Sequence, residues 1–172
     1  MIFVTVGSAP WGIEFKRLIG KLDEIALELR EEIVAQIGVV ENPPKHVKWF
    51  THKNFIDIVE YFKNASIVVG HCGTGTILNA LTYQKPVILV PRRNQHGELD
   101  KDDHQFELAS RLRGMEGIFV VNEMNDLKGT IQKVQTLLQE RKLQLGFSEE
   151  RKRLLSFLKD YVRDYRLQLE RQ

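Results

Sequence analysis

The sequence predicts an α/β fold built on an open parallel sheet flanked by helices, and three observations carry that prediction. Short apolar, β-branched runs such as Ile2 to Val6, Ile67 to Val69 and Pro86 to Val90 are continuous rather than alternating, as strands covered on both faces are. The segments between them place apolar residues at helical spacing with charges in the gaps. The two kinds alternate along the chain, the order that builds βαβ units.

Ile2 to Val6 is the first strand, ended by Gly7-Ser8 with Pro10 just beyond. Phe15, Leu18, Ile19, Leu22, Ile25, Ala26 and Leu29 then form one apolar stripe, which makes a helix. Ile33 to Val40 is a second strand, closed by Asn42-Pro43-Pro44, and Val47 to Phe50 a short third. A helix from about Asn54 to Lys63 leads into the fourth strand, which ends at Gly70. Thr74 to Tyr83 reads as a helix, Pro86 to Val90 as the fifth strand, Asp102 to Leu112 as a helix, Ile118 to Val121 as the sixth strand and Asp126 to Arg141 as a helix. Gly146-Phe147 separates this body, 1–147, from a long C-terminal amphipathic helix within 148–172. Ser148 supplies an N-cap there, and Glu149 and Glu150 complement the helix dipole. Leu154, Leu158, Tyr161 and Tyr165 form its apolar stripe, and Phe157 lies off it.

At 172 residues the chain suits one domain with a full core. A formal charge of +2, with basic and acidic residues interleaved, gives no reason to expect a nucleic acid partner. The single cysteine, Cys72, forms no internal disulfide and fits a reducing compartment. Met1 to Val4 runs straight into a strand, without the pattern of a secretory leader, and no apolar run approaches the roughly 20 residues that span a bilayer.

Ligands of parallel sheets bind at the carboxyl ends of the strands, near the switch in strand order, so the turns after strands are informative. Gly7-Ser8-Ala9-Pro10 follows the first strand: glycine lets a backbone approach a ligand, and free N–H groups can face an anion, though a plain tight turn would look the same. Gly70-His71-Cys72-Gly73-Thr74-Gly75-Thr76 follows the fourth and opens a helix. Exposed N–H groups, a positive dipole end and two hydroxyls make an anion site there. The spacing is neither a Walker A loop nor G-x-G-x-x-G, so the expected ligand is a diphosphate held without a P-loop lysine. His71 is expected to shape the loop by hydrogen bonding and Cys72 to be a packed residue rather than a nucleophile. With the other histidines scattered at 46, 52, 96 and 104, no metal site is expected.

The polar loop after the fifth strand, Pro91 to Gln105, is long enough to imply binding. Asp103, His104 and Gln105 at the following helix start can read vicinal sugar hydroxyls, while Asp102 or Asp103 can equally cap that helix. The charge run from Glu98 to Asp103 reads as a solvated face.

Ile2 to Gly7, Val68 to Ile77, Lys85 to Arg92 and Asp102 to Gln105, taken in register, resemble the C-terminal domain of the MurG-like GT-B glycosyltransferase family. The resemblance covers about residues 1–130 and is closest to stand-alone single-domain members. These are the PssE-type polysaccharide galactosyltransferase subunits and the catalytic subunit of the dolichol-diphosphate N-acetylglucosamine transferase. It implies a Rossmann-like sheet forming one half of a GT-B fold, an inverting UDP-sugar transferase, and no cofactor or obligatory metal. Gly7, Ser8, Gly73, Thr74, Gly75 and Thr76 would hold the diphosphate, with His71 beside them. Asn79 stands where the family has an acidic residue for the ribose, and Phe55 would line the uracil pocket. Asp103, His104 and Gln105 match the donor-sugar segment, although the loop before them, Gly97 to Asp102, has gained one residue and lost one histidine relative to the family.

The chain has room for one of the two GT-B halves. The resemblance therefore implies a membrane-associated partner subunit that binds a lipid-linked glycan acceptor and supplies the catalytic base. The chain itself would be cytoplasmic, peripheral at the membrane through that partner, with a homodimer as the alternative when isolated. A regulatory nucleotide-sugar-binding module and a flavodoxin-like fold with another phosphate ligand are the competing readings.

Overall fold

The structure is a computed structural model, and it describes residues 1–7, 14–98, 104–143, 145, 152–158 and 160. Six parallel strands form one sheet in the order β3-β2-β1-β4-β5-β6. They are β1 (Ile2–Thr5), β2 (Ile33–Gln36), β3 (Lys48–Phe50), β4 (Ile67–His71), β5 (Val87–Val90) and β6 (Ile118–Val120). Chain order runs outward from β1 to one edge and then from β4 to the other, so the winding direction reverses between β1 and β4. Register there pairs Ile2 with Ile67 and Thr5 with Gly70. The expected second strand is shortened to Gln36, because Gly38 turns the backbone to φ +64, where a strand cannot continue.

Alternation along β1 shows how the layers are filled. Ile2 and Val4 join Leu18, Leu22 and Ile25 of α1 (Lys16–Ala26) and Leu127, Ile131 and Val134 of α5 (Leu127–Gln139) on one face. Phe3 joins Phe62 of α2 (Phe55–Asn64), Ile77 and Leu81 of α3 (Thr74–Thr82), and Ala109 and Leu112 of α4 (His104–Leu112) on the other. The first-face side chains of β1, α1 and α5 named here are at most 1% exposed, so this layer is dry core that stabilises by burial alone. Asn54 caps α2 by accepting from the Asp57 N–H, which fixes where that helix begins.

Residues 152–158 are helical and form α6. Leu158 is buried in the second cluster, with Leu154 and Leu155 packed against it, while Phe157 is exposed. Ser148, Tyr161 and Tyr165 lie outside the described residues. Among the described residues no helix is long and apolar enough to cross a membrane.

Candidate functional site

The reversal between β1 and β4 brings the turn after β1 and the turn after β4 side by side, and the loop after β5 reaches them from the next strand. Gly7 takes φ +72, in the left-handed region, and its N–H donates to Thr5 Oγ1 at 3.1 Å. The Thr5 hydroxyl in turn donates to buried Gln36 Oε1 at 2.6 Å. That amide is therefore engaged within the fold, and the role of Gly7 here is conformational. Ser8 lies outside the described residues.

His71 occupies the space that two glycines leave. A Cβ added at Gly7 would fall 2.7 Å from His71 Nε2 and nearer still to Cε1; one added at Gly73 would fall 2.8 Å from Cδ2 and nearer still to Nε2. Both glycines are required by the imidazole between them, a reason that spacing in the sequence does not reveal. The ring meets Thr76 Oγ1 through Nδ1 at 3.3 Å. Burial, reinforced by the Arg92 guanidinium and opposed by a hydrogen bond to the Thr5 backbone, lowers its pKa to about 4. His71 is neutral at pH 7. Burial also pushes the Cys72 thiol up to about 12, which makes it an inert core residue.

Gly73 is the N-cap of α3 and donates its N–H to His71 O at 2.9 Å. The next three amides, of Thr74, Gly75 and Thr76, have no carbonyl one turn back and lie at the positive end of the helix dipole. Gly75 is exposed, with open space where a Cβ would stand. Thr76 is 4% exposed and faces His71 rather than solvent. Asn79 lies one turn further along and donates its amide to Gly75 O at 2.8 Å. Phe55 opens α2 at the carboxyl end of the edge strand β3. It is exposed, and three strand positions, about 14 Å at ordinary strand spacing, separate β3 from β4.

The loop after β5 departs from its expected character. Glu98, read from the sequence as part of a solvated run, is 3% exposed. A 3₁₀ turn at Asn94–His96 and a left-handed Gly97 fold the chain back, and Glu98 Oε2 then accepts the Arg93 N–H at 2.9 Å. Arg17, which lies 81 residues earlier on α1, donates Nε to Glu98 Oε1 at 2.7 Å, Nη2 to Oε2 at 3.1 Å and Nη2 to Pro91 O at 2.5 Å. Arg92 is 2% exposed and donates Nη2 to Val6 O at 3.2 Å and Nη1 to Glu98 O at 3.4 Å. Both guanidiniums lie over the Phe15 ring, at 5.3 and 4.7 Å. Burial, together with Arg17, lowers the Arg92 pKa and Glu98 raises it; an arginine remains charged through such shifts.

Gln105 is buried, and its Oε1 accepts the Arg92 N–H at 3.2 Å, so at least one of its polar atoms anchors the loop. His104 is the exposed first residue of α4, and Asp103 lies outside the described residues. Among the described residues no group of three or more His, Cys, Asp or Glu side chains is arranged to hold a metal ion. The site thus unites Gly7, His71, Gly73 and Thr76 with Arg17, Arg92 and Glu98, three residues that the sequence reading missed. Arg92 was within reach of that reading, since it follows a strand at the carboxyl edge of a parallel sheet.

Comparisons with known proteins agree with this architecture. The family described as "Glycosyltransferase family 28 C-terminal domain" matches residues 1–163. The UDP-N-acetylglucosamine transferase subunit ALG13 of Eremothecium gossypii is 33% identical over 69 residues, covering 40% of this chain and 32% of that protein. A UDP-N-acetylglucosamine--N-acetylmuramyl-(pentapeptide) pyrophosphoryl-undecaprenol N-acetylglucosamine transferase of Prochlorococcus marinus is 25% identical over 128 residues, covering 71% of this chain and 33% of that one. The chain therefore spans about a third of the length of these curated relatives. Among solved structures, Acinetobacter baumannii MurG superposes with a TM-score of 0.53 at 18% identity, over 77% of this chain and 41% of that one. An NMR structure of ALG13 does so with a TM-score of 0.53 at 16% identity, over 79% of this chain and 85% of that one. At these identities the superpositions establish the fold, that of one half of a GT-B glycosyltransferase.

Proposed function

The chain belongs to the glycosyltransferase family 28 C-terminal domain family, and from that premise we propose that it is the donor-binding subunit of a two-component, inverting UDP-sugar glycosyltransferase. The observation that carries this reading is the open N-terminus of α3 at the sheet's reversal point, with Gly75 unobstructed and the buried Arg92 guanidinium acting on the adjacent His71. A diphosphate seated there receives backbone N–H groups and the helix dipole without a lysine or a metal. As the glycosidic bond to the donor breaks, the same donors stabilise the UDP leaving group. His104 and Gln105 place α4 beside the sugar, and Asp103 belongs to the same segment. The acceptor, a lipid-linked glycan, and the base that deprotonates it belong to a membrane-associated partner subunit. That partner holds the chain at the cytoplasmic face, and the segment from Ser148 onward, with exposed Phe157, helps to dock it.

Thermal denaturation with nucleotides tests the reading. UDP is expected to stabilise the fold more than AMP, FMN or NADH, by about 2.7 kcal/mol at a hundred times its dissociation constant. Equal shifts with all four nucleotides overturn it.

A further inference from the structure

We propose that Arg92, Glu98 and Arg17 form a buried charge set whose excess positive charge governs the affinity of the neighbouring turns for an anionic ligand, with Arg92 and Glu98 acting in opposite directions. The proposal rests on the donor-site reading above and assigns residues that the family resemblance left without a role.

Two guanidiniums share one carboxylate. Arg17 takes both oxygens of Glu98, at 2.7 and 3.1 Å. Among the described residues, Arg92 hydrogen-bonds through its guanidinium to carbonyls, Val6 O and Glu98 O, and lies over the Phe15 ring, on a side chain 2% exposed; the Glu98 carboxylate acts on it only through space. A cation so enclosed loses most of its hydration, and backbone dipoles do not neutralise it. Among the described residues, His71 is the other titratable group whose charge state Arg92 affects; it is neutral at pH 7 and supplies no compensating charge.

The position of this excess charge decides what it does. Arg92 Nη2 binds the carbonyl immediately before Gly7, and the His71 ring that separates Gly7 from Gly73 lies within the field of the same guanidinium. The charge therefore sits beside Gly7 and the His71 ring, in a low-dielectric setting where salt screens it poorly. Arg92 is a positioning residue: it is too enclosed to be the first contact of a ligand, and it acts through the field it lends to the start of α3, where Gly75 is exposed. Glu98 moderates that field while tying the β5 loop to α1.

The opposing signs give a test that damage to the fold does not mimic. Affinities for UDP, UMP and uridine are measured by calorimetry for the wild type, Arg92→Gln and Glu98→Gln, each first shown to be folded by circular dichroism. Arg92→Gln is expected to weaken UDP by about ten-fold or more, and Glu98→Gln to tighten it by a similar factor. Both effects should shrink for UMP and vanish for uridine. If Arg92→Gln does not fold, Arg17→Gln removes the same unit of charge from the less buried end of the set and is expected to weaken UDP likewise.

Weakening by Glu98→Gln as well as by the arginine variant, or equal changes for UDP and uridine, overturns the charge assignment. If wild-type protein binds no UDP, the donor reading fails instead, and inorganic pyrophosphate titrated into the same variants decides the charge assignment alone. Opposite shifts for pyrophosphate then sustain it, and shifts of one sign, no shift or no binding overturn it.

Discussion

The turn after β4 and the loop after β5 leave adjacent strands at the same edge of the sheet, yet they are built on different physics. From His71 to Thr76 the β4 turn carries two ionisable side chains, an imidazole kept neutral and an inert thiol. With its small residues and a helix N-terminus, its contribution is shape and fixed dipoles. The β5 loop, from Arg92 to Glu98, folds back through Gly97 so that a carboxylate and a guanidinium are both buried, and its contribution is charge. The β4 turn is held by steric fit around one ring, whereas the β5 loop is held by ion pairing across 81 residues of sequence. Substitutions in the first should therefore act through packing, and substitutions in the second through electrostatics.

The largest effect is expected at Gly73. Valine there would drive a branched side chain into the His71 ring, already too close for a bare Cβ. Overpacking of this kind costs about 1–3 kcal/mol, and the displaced ring carries Thr76 and the start of α3 with it. Gly73→Val is expected to lower the melting temperature and abolish UDP binding together. A Gly73→Val protein of wild-type stability would show that the ring has room to move and would remove the steric account of this turn.

The second difference appears on acidification. His71 has a pKa of about 4 when folded, against an ordinary value of 6.5. Between those values the unfolded chain takes up the proton and the folded chain does not, so stability falls as pH drops from 6.5 to 4 and is unaffected by this group above 6.5. The shift corresponds to about 3 kcal/mol at full extent. His71→Asn should remove this part of the slope in urea denaturation followed from pH 7 to pH 4. The guanidiniums of the β5 loop stay charged over that range and add no slope of their own. An unchanged slope in the variant would place the titration elsewhere.

How much of each region was legible in the sequence follows from the same contrast. Glycines at 70, 73 and 75 and the helical pattern after them mark the β4 turn, as Gly7 marks the turn after β1, because local backbone demands leave local residue choices. The sheet was legible for a like reason: continuous apolar strands require cover on both faces. The β5 loop was not. Glu98 within a run of charges has the composition of a solvated surface, and its partner Arg17 lies on another helix, so nothing local distinguishes it. Gly97 was the one local sign that the chain doubles back there. Even the legible glycines were assigned an incomplete reason, since the imidazole that needs Gly7 and Gly73 comes into view only when the turns are placed side by side.

Gln105 sharpens the comparison further. Its Oε1 accepts the buried Arg92 N–H, so Gln105→Ala leaves that donor without a partner, at a cost of about 1–3 kcal/mol. Stability should drop accordingly. Under the proposed function, affinity for a UDP-sugar should drop more than affinity for UDP. Equal losses for the two ligands would confine Gln105 to anchoring the loop.

The smallest effect on the fold, and the most discriminating for the ligand, is expected at Gly75. Unlike Gly73, it has nothing within 4 Å of the position a Cβ would take, and it lies in the first turn of α3. Alanine is favoured over glycine within a helix by about 1 kcal/mol, less at its first turn, so Gly75→Ala should leave the melting temperature unchanged or slightly raised. The added methyl would nevertheless occupy the open space at the start of α3, where the diphosphate is proposed to sit. UDP affinity should fall several-fold while stability does not, the reverse of the coupled loss expected at Gly73. If UDP binds Gly75→Ala as tightly as the wild type, the open face of α3 is not where the diphosphate lies. The glycine at 75 would then serve the helix start alone, and the two glycines of this turn would differ only in what each has beside it.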